Sequence, residues 1–122
     1  MAVRAIRGAT RLGQDSESEM AEAVVELLTA MIEGNELESD DLISVLFTAT
    51  PDLRCAFPAA AARGMGLTDV PLMCAQELDI PGAMPFVIRV MMHAETDRPR
   101  ATVWHPYLRG TDTLRAAPEP GP

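Results

Sequence analysis

One segment of this 122-residue chain has the period of a full-length helix, and the other apolar runs are too short for one. Met20, Val24, Leu27, Leu28, Met31 and Ile32 recur at helical spacing and form a single apolar stripe. Ser16 with Glu19 is a capping-box signature, and Glu17, Glu19 and Glu22 suit the positive end of the helix dipole. Gly34-Asn35 is a stop signal. The spacing predicts a helix over residues 17–33 whose acidic side is solvated and whose stripe must be covered by something else in the fold.

The short runs read as strands. Residues 2–10 are apolar with Arg4 and Arg7 interleaved, and Gly8 suggests a close approach of backbone or ligand. Residues 42–49 (LISVLFTA) read as a buried strand broken by Thr50-Pro51-Asp52. Pro58 and the alanines after it open a short helix that Gly64 and Gly66 end. Residues 70–74 form a short strand, residues 86–93 (FVIRVMMH) a strong one, and 103–108 an extended piece interrupted by Pro106. The order β-α-β-α-β-β predicts an α/β (α+β) fold: one domain over residues 1–115, with two helices on one face of one sheet, and a Pro-rich, disordered tail at 116–122. Two helices leave one sheet face uncovered, and a homo-oligomer is one way to cover it.

Charge narrows the function. Eighteen acids against ten bases give a net charge of −8; every base is Arg, and ten of the acids fall between Asp15 and Asp41. A chain so acidic, with no basic stripe, is a poor partner for nucleic acid or an anionic membrane. No stretch approaches the about 20 apolar residues of a membrane span, and no basic-then-apolar leader opens the chain, so a cytoplasmic protein is expected. Cys55 and Cys74 lack CxxC spacing and read as free thiols. His93 and His105 have no ligand spacing to them, so no metal site is expected, and His105 beside Trp104 reads as structural. GxGxxG, Walker, GxSxG and HExxH patterns are absent, which leaves a cofactor-free binder of a small carboxylated ligand.

Arg89 is the residue that most needs an explanation. Alternation puts Val87, Arg89 and Met91 on one strand face and Phe86, Ile88, Val90 and Met92 on the other, both apolar. A guanidinium there must meet an anion, pair with an internal carboxylate, or reach water from an edge strand. Arg7 lies among small apolar neighbours, and Arg63 closes the alanine helix. Converging with Arg89, they would suit a small di-anion, because the planar fork binds carboxylates bidentately. Glu77, between a strand and the Pro81-Gly82 turn, could partner an arginine, act as a base or accept a substrate hydroxyl. Cys74 has no histidine near it in sequence and reads as packing.

The strings IRGAT (6–10), ATPDL (49–53), FPAAAAR (57–63), VPLMCAQELD (70–79), IRVMM (88–92) and HPYL (105–108), with Leu114 and Arg115 beyond, occur in one order. Together they resemble the small trimeric chorismate mutases of the AroH class, over about residues 2–115. The resemblance implies the rearrangement of chorismate to prephenate, on the way to phenylalanine and tyrosine. It also implies a cofactor-free homotrimer, a pseudo-α/β-barrel with sites at the subunit interfaces.

Residue by residue, the resemblance gives Arg89 the ether oxygen of the breaking bond and Arg7 a substrate carboxylate. Glu77 and Cys74 match the pair that meets the ring hydroxyl, and Tyr107 a tyrosine near the side-chain carboxylate. Phe57 and Ala59 match wall residues from the neighbouring subunit, and Arg63 a base at the site mouth. Leu72 and Met73 match pocket-lining positions, and Leu114 and Arg115 the segment that covers the site. Ala60 stands where relatives can carry lysine, and Met73 replaces a threonine. The competing readings are an imine-hydrolysing interfacial trimer, a non-catalytic trimer that binds a carboxylated metabolite, and a structural trimer with Arg89 and Glu77 as a buried ion pair.

Overall fold

The computed structural model describes residues 2–115. Among them are four strands, β1 (Ala2–Arg11), β2 (Leu42–Ala49), β3 (Leu72–Gln76) and β4 (Val87–Thr96), and two α-helices, α1 (Glu17–Glu33) and α2 (Pro58–Gly64). The strands form one mixed sheet in the order β1-β4-β2-β3. β1, β2 and β3 run in one direction and β4 runs against them. The last strand therefore inserts between the first two and splits the β1–α1–β2 crossover. The disordered tail expected at 116–122 lies outside the described residues. No helix of the described residues is long and apolar enough to cross a membrane.

α1 occupies the span that its apolar period predicts. Met20, Ala23, Val24, Leu27, Leu28 and Met31 are buried, and Ile32 lies at the margin of the core. The capping box is only half realised. Ser16 accepts from the Glu19 N–H, but the Glu19 carboxylate reaches the Gly13 N–H at 2.6 Å instead of returning to Ser16. Gly8 is where helix and sheet come closest: a Cβ there would stand 2.7 Å from Met31 Sδ and 3.0 Å from Leu27 Cδ1. Gly34 ends α1 in ordinary right-handed geometry, and its need for glycine is steric, since a Cβ would fall 2.3 Å from the Trp104 ring.

The core lies between the helices and one sheet face. That face carries Ile6, Val45, Phe47, Ile88, Val90, Met92 and Ala94, all buried. Ala59 and Ala62 of α2 join the same cluster. The opposite face carries Val3, Leu46 and Met73, all exposed, together with Arg7, Arg89 and Met91. The expectation of one covered and one uncovered face is met in the chain as it stands.

Both ends of β3 and of β4 differ from expectation. β3 starts at Leu72 because Pro71 has no N–H for the ladder, though its carbonyl accepts from Val45. It then runs on to Gln76. Phe86 is not in β4: it takes a left-handed φ of 57°, and its N–H is held by the Asp52 carboxylate. β4 continues to Thr96 because β1 pairs with it as far as Ala2. Residues 103–108 are, as expected, an extended piece outside the strands. They make one parallel bridge, Ala9 to Tyr107, on the outer edge of β1.

Candidate functional site

β4 is a central strand, so an edge position does not explain Arg89. Its side chain leaves the sheet on the open face, is 46% exposed, and places Nε 3.1 Å from Glu77 Oε2. Glu77 follows β3 directly, and its N–H donates to the Ala49 carbonyl at 2.9 Å, which fixes it against the end of β2. The same carboxylate oxygen accepts a short hydrogen bond from Thr48 Oγ1. Thr48 pairs with Arg89 across the sheet, so the three residues form one triangle spanning β2, β3 and β4. Sequence reasoning missed Thr48; its signal is a hydroxyl on the open-face register of β2, next after Leu46.

Register places the other predicted residues around this triangle. Arg89 pairs with Ala9 and Met91 pairs with Arg7, so Arg7 is a diagonal neighbour of Arg89 on the same face, roughly 7–8 Å away. Tyr107 bridges to Ala9 from the far side of β1, in the same cross-strand row as Arg89 and Thr48. Arg115 stacks over the Tyr107 ring, 5.9 Å from its centroid. Leu114 is half-buried in the preceding turn, Asp112–Leu114.

The remaining residues lie elsewhere. Cys74 and Leu72 share the register of Phe47 and Val45, on the helix-covered face, while Met73 is 66% exposed on the open face with Leu46. Cys74 lines an open hollow of about 440 Å³ with Cys55, Phe57, Pro58 and Gln76, at the carboxyl ends of the parallel pair β2 and β3. Phe57, 72% exposed, precedes α2; Arg63 is exposed in its last turn; Ala59 is buried in the chain's own core. Within one chain, then, the cationic cluster on the open face and the Phe57–Arg63 segment are separate.

Both cysteines are free thiols. Burial pushes the Cys55 thiol up, and so does its hydrogen bond to Asp15. Asp15 is held below the ordinary carboxylate range by the Cys55 thiol and by the Arg54 N–H. That pair ties the end of the β1–α1 loop to the start of the α2 approach and keeps Cys55 a poor nucleophile. Burial also lowers His105, with the Arg7 and Arg115 charges adding to it. Among the described residues, no group of three or more His, Cys, Asp or Glu could hold a metal ion.

The cluster thus offers fixed cations and one carboxylate on an open sheet face. It suits a small dicarboxylate with a hydroxyl. Comparison with known proteins gives this chemistry a family. The family model described as chorismate mutase type I matches residues 3–117. The chain is 46% identical to the chorismate mutase AroH of Thermus thermophilus over 114 residues, 93% of each chain. It is 41% identical to that of Bacillus subtilis (strain 168) over 116 residues, 94% of this chain and 91% of the other. The solved chorismate mutase from Clostridium thermocellum superposes with a TM-score of 0.88 at 48% identity, covering 90% of this chain and 98% of that one. The chain belongs to the chorismate mutase type I family, and its activity is that of a chorismate mutase, an isomerase.

Proposed function

We propose that this chain is a cytoplasmic homotrimer that rearranges chorismate to prephenate on its open sheet face, by charge stabilisation and conformer selection alone. The substrate class follows from the family. The single observation that carries the mechanism is the Arg89–Glu77–Thr48 triangle on a central strand, with Arg7 diagonal to it.

The reaction is a [3,3] rearrangement, which consumes no nucleophile and moves no proton. As the C–O bond stretches ahead of C–C bond formation, negative charge gathers on the ether oxygen and positive character spreads over the ring. A cation fixed at that oxygen binds the transition state more tightly than the ground state, which is the requirement for acceleration. Arg89 fills that role. With Nε held by Glu77, its terminal amino groups face the oxygen, and the rigidity of β4 spares the cost of reorganisation. Arg7 and Tyr107 hold the enolpyruvyl carboxylate so that the side chain folds over the ring, a proximity effect. Glu77 accepts the ring hydroxyl, and its charge offsets the positive character of the ring. Cys74 sits mid-strand in β3 on the helix-covered face, so the contact with the ring hydroxyl that the resemblance implies for it is not made from the open face.

The exposed Val3, Leu46 and Met73 support burial of this face against copies of the chain. In that assembly Phe57 and Arg63 of one copy wall the site of the next, while Ala59, matched to a wall position by the resemblance, stays in its own chain's core. Met73 lines the site and Leu114 and Arg115 cover it, while Leu72 faces the helices. The separation of Phe57 and Arg63 from Arg89 within one chain supports a site shared between copies. One chorismate mutase domain spans residues 1–115.

The test is the loss of chorismate ultraviolet absorbance with the purified full chain, no cofactor added, and prephenate identified as product. Turnover at the rate of the unassisted reaction would sink the mechanism. Ligand binding without turnover would favour the metabolite-binding reading, and imine turnover in its place would favour the hydrolase.

A further inference from the structure

The outer edge of β1 has an irregularity at Arg7. Ala9 makes both bonds of a parallel ladder: its N–H donates to the Pro106 carbonyl at 3.1 Å, and its carbonyl accepts from Leu108 at 2.8 Å. The next rung of such a ladder would join Arg7 to the N–H of residue 106 and the carbonyl of residue 104. Neither bond is made. Pro106 has no N–H. The Trp104 carbonyl accepts from Asn35 Nδ2 at 2.9 Å, while the Trp104 N–H donates to Asn35 Oδ1 at 2.8 Å. The Arg7 N–H turns instead to a side chain and donates to His105 Nδ1 at 2.9 Å.

We propose that His105 is a positioning residue for the rearrangement: its Nδ1 acceptor completes the broken rung at Arg7 and locks the backbone of Arg7 to the segment that carries Tyr107. This rests on the reading above that Arg7 and Tyr107 bind the substrate carboxylate. The lock is well braced. Asn35 is 2% exposed and clamps Trp104 from both sides, and Tyr107 is fixed by its bridge to Ala9. The imidazole lies between these two fixed points with no backbone bond of the regular ladder to replace it.

The donor is a backbone N–H, so the acceptor must be a bare ring nitrogen, and the ring proton sits on Nε2. Protonation would set one N–H against another. The charged groups that act on the ring are Arg7 from β1 and Arg115 from the last turn, both cations, and burial works in the same direction. His105 therefore stays an acceptor at neutral pH and loses the bond only in acid, below its ordinary value of 6.5. The loss reaches the substrate through placement of Arg7 and Tyr107, so it should raise KM more than it lowers kcat.

The experiment uses the full chain and compares wild type with His105→Asn, His105→Phe and Arg7→Ala in steady-state chorismate kinetics, between about pH 5 and 8. Asn keeps an acceptor near the Nδ1 position and does not titrate; Phe keeps the ring and has no acceptor. The expected result is a KM that rises in acid for wild type, stays flat for His105→Asn, and is about tenfold higher at every pH for His105→Phe, the size of one lost hydrogen bond to a part-buried donor. A wild-type KM in His105→Phe, or an acid rise shared unchanged by His105→Asn, overturns the positioning role. If Arg7→Ala leaves KM unaltered, the site reading fails and the proposal with it; if Arg7→Ala raises KM while His105→Phe does not, only the proposal fails. Ring ¹⁵N resonances of wild type give a readout independent of folding in the variants. A proton on Nδ1 at neutral pH overturns the assignment.

Discussion

Phe47 and Thr48 are neighbours in β2 and belong to two different molecules in the physical sense. Phe47 points to the helices, where Val90, Ile88 and Met92 of the adjoining strand complete a dry, closely packed layer. Thr48 points the other way, to a face that carries a half-exposed arginine, a carboxylate and several uncovered apolar side chains. The strands are shared, so the difference is set only by the two-residue period. One face spends its side chains on holding the chain together. The other holds groups whose interactions are incomplete until something binds. The lesson is that stability and activity are separable here by residue parity.

The sharpest way to break that separation is Phe47→Ala. Its loss should lower unfolding stability by about 3–5 kcal/mol, read from urea midpoints, while the folded fraction keeps its kcat. A large fall in kcat without a fall in stability would join the two faces again. Arg89→Lys should do the reverse: kcat falls by about 10²–10³, with the urea midpoint nearly unmoved. A near-native kcat would end the role given to Arg89. Leu46→Asp should leave each chain folded by circular dichroism and dissociate the assembly in sedimentation, because it puts a charge on the face proposed to be buried between copies. Unchanged sedimentation would assign that face to something else. The smallest effect is expected from Cys74→Ser, which lies off the open face and keeps a hydrogen-bonding group; most activity should remain, and complete loss in a folded protein would favour covalent catalysis.

The parts of this architecture that sequence alone conveys are those with a local period. α1 is written in the spacing of Met20 to Met31, and the parity of Arg89 and Met91 in the spacing of β4. The fit of Gly8 under α1 was signalled by a glycine in an apolar strand, although which helix residues approach it was not. What sequence could not convey is long-range pairing. The Arg89–Glu77 contact was open to sequence only as one reading among several, because the strand order β1-β4-β2-β3 that brings the two together is encoded by no local pattern. Phe86 reads as strand by its apolar character, but Asp52, far away in sequence, holds its N–H and turns the backbone left-handed. Gly34 reads as an ordinary helix stop, and its reason is the Trp104 ring. His105 reads as structural from sequence, and its contact with Arg7 comes from a proline that interrupts a ladder.

The insertion of β4 between β1 and β2 has a consequence for vectorial synthesis. Ala2 finds its partner only at Thr96, so of the four strands of this sheet β1 waits longest for its mate. At about 5–20 residues per second, ribosomal elongation keeps β1 without its mate for roughly 5–20 s. Meanwhile α1 and the parallel β2–β3 pair, whose contacts lie closer in sequence, emerge first. The nascent chain therefore carries β1 as an unmated ribbon until β4 has been made, and its protection in that interval falls to whatever meets it at the ribosome exit.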